Sequence, residues 1–473
     1  MTESPNNPLT DARVATVALS DYERGTEHAL WQGCESLGWA NETSPFGAAI
    51  PRGARVLIKP NFVAHENQGP WGLSPLVTHP SLVRAVAEAA LHTEATQVLV
   101  GDAPLQACDW DKLLHATELD VWATELRARE PRFAGIEDFR RTTCSFVNGA
   151  RVATENLLPE ERFVLFDLGE ESLLEPITTA AGAFRVTCYD PRLLARTHAP
   201  GRHQYLVTRA ALEADVVINL PKLKTHKKAG ITGALKNLVG ITGNKESLPH
   251  HRIGGAGAGG DCYPGRSLTK RALEYAFDRE HTATSSTESE LWRTVERQLQ
   301  RALRLTGDRL GVEGSWAGND TVWRMSLDLN RILLYGHADG TLADAPQRRV
   351  LHVVDAVVAG QGDGPLAPQP LPLGLLLAGA NAAALDWAGA QLLGYDPARV
   401  PIVREAFGDF YWPLASFAPQ MVAVMGDAEA MKKMPVQVLH PVGWRDAAQK
   451  SVPRAVESAA SITLATARGT DAS

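Results

Sequence analysis

The amino-acid sequence predicts an α/β protein in which a mostly parallel sheet is covered by helices, arranged as two lobes with a helical insertion. Short apolar runs that end in Gly, Pro, Asp or Asn alternate with segments of helical periodicity. This alternation is typical of parallel strands that are joined by helices. Between roughly residues 265 and 340 the strand signals fade and only helical patterns remain, which indicates the insertion.

The first strand–helix–strand unit begins near residue 55. "RVLIKPNF" predicts a buried strand followed by a turn, "HPSLVRAVAEAALHT" places its apolar residues on one helical face, and "QVLVGDAP" is the next apolar run. In open α/β sheets ligands bind beyond the carboxyl ends of the strands. We therefore expect the chemistry of this protein where Lys59, Asn61 and Asp102 emerge from these strands.

The same alternation returns further along the chain. Strand patterns recur in "ADVVINL", "RVLHVVDAVVAG" and "MVAVMGD", and "LGLLLAGANAAALDWAGAQLLG" predicts a strand followed by a helix. These patterns predict an α/β lobe over residues 1–264, a helical insertion or cap over 265–345 and completion of the α/β core over 346–446. The remaining residues, 447–473, are rich in Ala, Ser and Thr and are expected to form a disordered tail.

Composition excludes several classes of protein. A net charge of -7 over 473 residues offers no broad attraction to nucleic acid or to an anionic membrane. The first residues do not resemble a secretory signal, and no stretch approaches about 18 uninterrupted apolar residues, so we expect a cytoplasmic protein. The five scattered cysteines argue against a disulfide framework and against a cysteine-held zinc or iron–sulfur site. A homo-oligomer remains open.

One segment has the opposite charge to the rest of the chain. "PKLKTHKKAGITGALKNLVGITGNKESLPHHRIGGAGAGGD", residues 221–261, contains six lysines and one arginine among closely spaced glycines. Glycine allows backbone N–H groups to approach a bound oxyanion, and lysines supply the positive charge. The segment is neither a Walker A motif nor a G-x-G-x-x-G motif, so it does not specify a nucleotide. It predicts a local site for a small anion, whereas the simpler alternative is a solvated basic loop.

We assign candidate roles by residue type and position. His226, Lys236 and Asp102 are the predicted catalytic residues, because an imidazole and a lysine in a poorly solvated setting can move protons or react covalently. No metal ligands are predicted, because the spacing of the histidines fits no strong metal pattern. The predicted substrate-binding residues are Lys59, Asn61, Lys222, Lys224, Thr225, Thr232, Gly233, Asn237 and Asp363.

Each role has a structural alternative. Asp102 could instead cap a helix, which is a common position for aspartate at the end of a strand. Lys236 could instead form a buried salt bridge with a carboxylate such as Asp386, which is a lone acid in an apolar helical pattern.

Several motifs, in order along the chain, resemble one large bacterial and archaeal family. "VLIKPNF", "THPSLVRAV", "VLVGDAP", "ADVVINLPKLKTH", "GITGALKNLVGITG" and "GQGDGPL" are similar to those of domain of unknown function 362. Many members of that family carry a ferredoxin-type iron–sulfur domain and are presumed redox proteins. This chain has no C-x-x-C-x-x-C run, so we expect no iron–sulfur cluster and the cofactor is unknown.

A shorter motif resembles the lactate racemase family. His226, Ala229, Gly230, Thr232, Gly233 and Lys236 match its H-x-x-A-G-x-[ST]-G-x-x-K spacing. The resemblance implies a lysine that tethers a nickel pincer nucleotide and a histidine that binds nickel or moves a proton. The family's Asp-x-Thr-Arg-Pro after the first strand is replaced here by Lys59, Pro60 and Asn61. This difference favours a shared fold with another cofactor or with none.

Together these patterns predict a cytoplasmic enzyme that acts on a phosphorylated or carboxylated small molecule, with the His/Lys/Gly-rich loop as its active site. Two alternatives remain open. One is a non-catalytic protein that binds a nucleotide, a cofactor or a partner, and the other is a racemase-like, epimerase-like or redox enzyme with a bound cofactor. The expected partner is a small anion, and neither nucleic acid nor a membrane is expected.

Overall fold

The structure, a computed structural model, describes residues 7–147, 150–155, 158–187, 189–427 and 437–448. Its strands are β1 (Arg13–Ala18), β2 (Arg55–Pro60), β3 (Gln97–Asp102), β4 (Phe133–Asp138), β5 (Thr142–Val147), β6 (Ala150–Glu155), β7 (Phe163–Asp167), β8 (Phe184–Arg185), β9 (His198–Ala199), β10 (Arg202–Thr208), β11 (Val216–Leu220), β12 (Lys222–His226), β13 (Gly230–Thr232), β14 (His251–Arg252), β15 (Arg349–Asp363), β16 (Ala367–Gly379) and β17 (Ala423–Gly426). Its α-helices are α1 (Thr26–Ser36), α2 (Pro80–Leu91), α3 (Trp110–Ala116), α4 (Leu119–Arg129), α5 (Pro191–Thr197), α6 (Arg209–Glu213), α7 (Ala234–Asn237), α8 (Leu268–Thr282), α9 (Ser286–Leu305), α10 (Val322–Tyr335), α11 (Ala382–Leu392) and α12 (Pro401–Glu405).

Ten of these strands form one sheet. Its main path runs β17-β1-β16-β15-β11-β2-β3-β4, and β12 and β13 join it beside β15. The strands from β15 through β11, β2 and β3 to β4 are parallel, whereas β15 and β16 form a long antiparallel hairpin. The predicted mostly parallel sheet covered by helices is therefore confirmed, with an antiparallel hairpin added near one edge.

Both faces of the sheet are covered, as the unbroken apolar runs predict. Successive side chains of a strand point to opposite faces, and in β11 Val217 lies in one hydrophobic core while Val216 and Ile218 lie in the other. In β2, Leu57 lies in the first core and Ile58 in the second. Strands buried on both faces are typical of parallel sheets with helical crossovers.

The helices pack with the faces that their periodicity indicates. α2 buries Leu82, Val83 and Val86 against the second core and begins at a proline whose fixed φ suits a first turn. α11 follows β16 and places Leu385 in the first core, and Asn381 caps its first turn by accepting a hydrogen bond from the Ala384 N–H. Both helices were predicted from the sequence.

The predicted insertion contains three helices that are packed in two different ways. α8 and α9 lie beside each other around a small core that includes Leu273 and Leu303. α10 is almost completely buried in the large first core. The two lobes and the domain boundaries stay predictions, and residues 449–473 of the predicted tail lie outside the described residues.

The smaller sheets of the fold were not predicted. β7, β10 and β9 form a separate three-stranded antiparallel sheet. Its strand β10, "RHQYLVT", alternates buried and partly exposed residues for only part of its length. Such short strands give too few periods for a pattern to be recognised.

Candidate functional site

Polar side chains meet at the carboxyl ends of the parallel strands. The strand register places Asn219 of β11 between Lys59 of β2 and His352 of β15. The Asn219 amide donates to the carbonyl of Ala234, at 2.9 Å, and lies 3.0 Å from Nδ1 of His352. Asp102 ends the neighbouring strand β3. The sheet therefore brings these polar groups to one edge, as the topology of open α/β sheets requires.

Lys59 and Asp102 form a completely buried ion pair. Lys59 Nζ lies 2.7 Å from Asp102 Oδ1, and the two side chains are 0% and 3% exposed. The ammonium also donates to the carbonyl of Pro60 at 2.9 Å and to Asn237 Oδ1 at 3.2 Å. The second carboxylate oxygen accepts the Phe62 N–H at 2.8 Å. Both predicted site residues are thus satisfied by protein groups, and Asp102 fixes the turn after β2 rather than capping a helix.

Lys222 is neutralised in a second buried ion pair. Its Nζ lies 2.6 Å from Asp355 Oδ2, and both side chains are 0% exposed. The Tyr22 hydroxyl donates to the other oxygen of Asp355 at 2.6 Å and accepts the Val358 N–H at 3.1 Å. The ring of Tyr22 stacks on His79, with centroids 3.6 Å apart. This network holds the segment before α1 against the sheet. Because its charge is neutralised by Asp355, Lys222 is not available to bind an anionic ligand.

Lys224 and Lys245 are buried without a carboxylate. Lys224 donates to Asn61 Oδ1 at 2.8 Å and to the carbonyl of Leu76. Lys245 donates to the carbonyl of Val239, at 2.8 Å, and lies 3.3 Å from a threonine hydroxyl. Burial lowers the pKa of Lys224 well below its usual value and the pKa of Lys245 to about 7. Among the described residues both ammonium groups are bound by neutral oxygens, so neither forms an ion pair.

Lys236 is the least satisfied of the buried lysines. It is 9% exposed, and its ammonium has neither a hydrogen-bond partner nor a carboxylate among the residues that the structure describes. Burial lowers the pKa of Lys236 to about 8, and the positive charges of Lys228 and Lys59 act in the same direction. An unpaired ammonium in such a position is a candidate for binding an anion or for moving a proton.

Asp386 does not pair with Lys236. Its two carboxylate oxygens accept the backbone N–H groups of Ala234 and Leu235, at 2.5 and 3.1 Å, and burial raises its pKa to about 7. A Cβ at Gly233 would lie 2.1 Å from this carboxylate, so only glycine fits there. The alternative of a Lys236–Asp386 salt bridge is therefore wrong, because Asp386 instead holds the first turn of the helix that carries Lys236.

His226 is held as a neutral imidazole. Its Nδ1 accepts the backbone N–H groups of Lys228 and Ala229 at 3.0 and 3.1 Å, which leaves the ring proton on Nε2. Burial lowers the pKa of His226 well below its usual value, and Lys236 is the next largest cause. His226 is thus a fixed hydrogen-bond donor through Nε2 beside a buried lysine.

The remaining predicted binding residues divide between framework and surface. Thr225 donates to the carbonyl of Gly362, at 2.8 Å, and Asn237 donates to Asn219 Oδ1, at 2.7 Å. The Thr232 hydroxyl is buried and has no hydrogen-bond partner among the described residues. Asp363 is exposed at the end of β15, just before the turn to β16. The structure therefore leaves Thr232 available to a ligand inside the protein and keeps Asp363 at the surface.

Sequence reasoning missed part of the site. Lys228, Lys245 and His250 each lower the pKa of at least one of the buried lysines or histidines around them, so they belong to the same charged region. We call this region the lysine–histidine cluster, and it comprises Lys224, Lys228, Lys236, Lys245, His226 and His250. The available signal was the concentration of lysines in residues 221–261, which did not distinguish buried from exposed positions.

The described residues contain neither a metal-binding group of side chains nor a membrane-spanning helix. No group of three or more His, Cys, Asp or Glu side chains in this part of the chain is arranged to hold a metal ion. No helix among the described residues is long and apolar enough to cross a membrane.

Comparison with known families agrees with the motifs. A family described as a domain of unknown function (DUF362) matches residues 56–161 and 165–391, which is more than half of the chain. The chain belongs to the DUF362 family. The match includes every residue of the lysine–histidine cluster, and the predicted resemblance is confirmed.

Individual relatives are distant. A thylakoid-associated protein of Synechocystis is 26% identical over 195 residues, which cover 41% of this chain and 37% of that protein. A Thermotoga maritima structure has a TM-score of 0.32 at 11% identity, covering 77% of this chain and 58% of its own. The lactate racemase apoprotein of Thermoanaerobacterium thermosaccharolyticum has a TM-score of 0.28 at 11% identity, covering 82% and 58%. The chain thus spans 37% to 58% of the length of these relatives, and a likeness at this level carries no functional argument.

The first prediction contrasts two buried lysines. Lys59→Met leaves the carboxylate of Asp102 buried without a partner, so it should lower the free energy of unfolding by about 3–5 kcal/mol. Lys236→Met removes an ammonium that has no partner, so it should raise the free energy of unfolding. Urea midpoints measured in a buffer without multivalent anions check both. A Lys236→Met protein as destabilised as Lys59→Met would contradict the unpaired state of Lys236.

The second prediction concerns pH. The folded-state pKa of Lys236, about 8, lies below its ordinary value of 10.5, so the unfolded state binds more protons between these limits. The free energy of unfolding is therefore lowered by the full cost of burying the charged ammonium below about pH 8, and this cost disappears as the pH rises towards 10.5. The stability advantage of Lys236→Met over the wild type should shrink over this interval. A stability advantage that stays constant with pH would contradict the lowered pKa of Lys236.

Proposed function

We propose that this protein is an enzyme that binds a phosphorylated or carboxylated small molecule at the lysine–histidine cluster. The observation that carries the proposal is the imbalance of buried charge. Lys59 and Lys222 each have a carboxylate, whereas Lys224, Lys236 and Lys245 are also buried and have none among the described residues. A bound anion would supply the missing negative charge.

The energetics of burial support this reading. An unpaired ion inside a protein costs several kcal/mol even after the surroundings relax. Residues that cost stability in the free protein are typical of sites where binding or catalysis recovers that energy. The buried hydroxyl of Thr232, which has no partner among the described residues, adds a neutral donor in the same chain segment. An oxyanion that accepts from several such groups gains charge-assisted hydrogen bonds.

Proton transfer is the reaction that the pKa values favour. A lysine whose pKa is about 8 is partly an uncharged amine near neutral pH, so Lys236 can accept a proton from a carbon next to a carboxylate. The Nε2–H of His226 can donate to the oxygen on which negative charge then develops. In this assignment Lys236 is the base when it is uncharged and binds the anionic group, together with the other lysines, when it is protonated, and His226 is the electrophilic hydrogen-bond donor.

The nickel pincer nucleotide implied by the lactate racemase resemblance is not required. No group of potential metal ligands gathers among the described residues, and Nδ1 of His226 already accepts two backbone N–H groups. Only Nε2 of that ring is free to meet a metal. These residues do not fit a metal held by the protein alone, so no step of the proposal passes through one.

Anion binding gives the third prediction. Inorganic phosphate and pyrophosphate should raise the melting temperature of the wild type, because a ligand that binds only the folded state stabilises it. Lys236→Met and Lys245→Met should reduce this shift to a small fraction of its wild-type size. Lys112→Met is the matched control, because that lysine is 72% exposed and pairs with Asp109, outside the cluster. If the wild type and Lys236→Met respond equally, the cluster is not the anion site.

Catalysis gives the fourth prediction. The wild type, incubated in deuterated water with a panel of carboxylated and phosphorylated metabolites, should introduce one deuterium at a carbon of its substrate. Lys236→Met should abolish the exchange, whereas His226→Gln should slow it at least about 100-fold while anion-induced stabilisation remains. Mass spectrometry measures the incorporated label. Stabilisation by anions without exchange in any compound would instead support the non-catalytic binding alternative.

A further inference from the structure

A cleft lies between helix α8 and the segments around β8 and β14. Its enclosed space is about 40 Å³, and the empty space is about 410 Å³ when the part that is open to solvent is included. Its walls combine apolar and polar side chains, so it differs from the lysine–histidine cluster, which is dominated by charge. The lining residues are Arg185, Val186, Thr187, Tyr189, His251, Ile253, Glu274, Phe277, Asp278, His281 and Val312.

The cleft reaches the lysine–histidine cluster at one end. The hydroxyl of Thr187, which lines the cleft, accepts a hydrogen bond from Nζ of Lys228 at 2.6 Å. His251 also lines the cleft and follows His250 directly in the chain. The charges of Lys228 and His250 both lower the pKa of His251, after burial, which places these groups close together. A ligand with its anionic group in the cluster can therefore extend into the cleft.

The charged groups of the cleft are already paired. Arg185 and Asp278 form a two-fold ion pair, with distances of 2.9 and 2.8 Å, that ties α8 to β8. Glu274 accepts the Gly254 N–H at 2.7 Å, and burial raises its pKa. The cleft thus offers no free charge to a ligand among these residues. It offers apolar side chains instead. Phe277 is partly exposed and Ile253 is exposed, and both lie beside Val186 and Val312 in the lining.

His251 supplies the polar contact. It is 4% exposed, and its Nδ1 has no hydrogen-bond partner among the described residues. A buried ring nitrogen without a partner costs free energy that a ligand or an ordered water can recover. The cleft is therefore amphipathic, with an apolar wall and one unsatisfied polar group.

We infer that this cleft binds the apolar part of the ligand whose anionic group occupies the lysine–histidine cluster. The inference rests on the proposed function and narrows its substrate class to an amphipathic anion, with one phosphate or carboxylate and an alkyl or aromatic group. A sugar phosphate or a small dicarboxylate would leave the surface of Phe277 and Ile253 uncovered. The side chains of the α8 region thus select the substrate, while the lysines of the strand ends hold its charge.

Paired probes test this inference by calorimetry. Phenyl phosphate is compared with inorganic phosphate, and phenylacetate with acetate. Burial of one ring should make the aromatic member of each pair bind the wild type at least about tenfold more tightly. Phe277→Ala and Ile253→Ala should each remove most of this preference and leave the affinity for inorganic phosphate unchanged. Ile253 is 38% exposed, so its truncation leaves the fold intact.

Tyr275→Ala is the matched control. Tyr275 lies in α8 two residues before Phe277, is 57% exposed and does not line the cleft, so this variant should keep the wild-type preference. Equal affinity for both members of each pair, or a preference that survives both cleft variants, overturns the inference and leaves the anion site standing. Failure of all four probes to bind the wild type overturns the proposed function itself.

Discussion

The buried ion pair between Lys59 and Asp102 is the interaction on which the rest of the site depends. It joins the ends of two neighbouring parallel strands, and through Asn237 it also holds the short helix α7. The pair leaves no space beside it, because a Cβ at Gly240 would lie 2.1 Å from Asp102 Oδ1 and 2.4 Å from Lys59 Nζ. Glycine at this position lets the backbone after α7 lie directly on the pair. Lys236, within α7, takes its position from this arrangement.

Pairing decides which lysines support the fold and which can serve a ligand. Lys59 and Lys222 are neutralised by carboxylates from distant parts of the chain, and each ion pair joins two segments of the fold. Lys236 is also buried, at 9% exposed, and forms no ion pair among the described residues, because the nearby carboxylate of Asp386 caps its helix. The distinction follows from electrostatics, since a buried charge must be paired within the protein, be paired by a ligand or lose its proton.

The two parts of the proposed site use different physical forces. Strand ends and the loops after them supply positive charge on a rigid frame, which suits the recognition of an oxyanion. Helix α8 supplies an apolar wall and is tied to the core by the Arg185–Asp278 pair. Charge gives affinity for a whole class of anions, whereas the shape and polarity of the wall discriminate within that class.

The sequence by itself determined the α/β class, strands β2, β3, β11, β15 and β16, helices α2 and α11, and the basic segment that contains the site. Apolar periodicity and the order of glycines and prolines are local properties, so they can be read without coordinates. Only the tertiary structure decided that Lys222 pairs with Asp355, that Asp386 caps α7 and that Lys236 stays unpaired. The Lys222–Asp355 pair and the Asp386 cap each join residues that are more than 100 positions apart in the chain. Lys236 stays unpaired because no such distant carboxylate reaches it among the described residues. Charge content is local, whereas charge compensation is set by the packed fold.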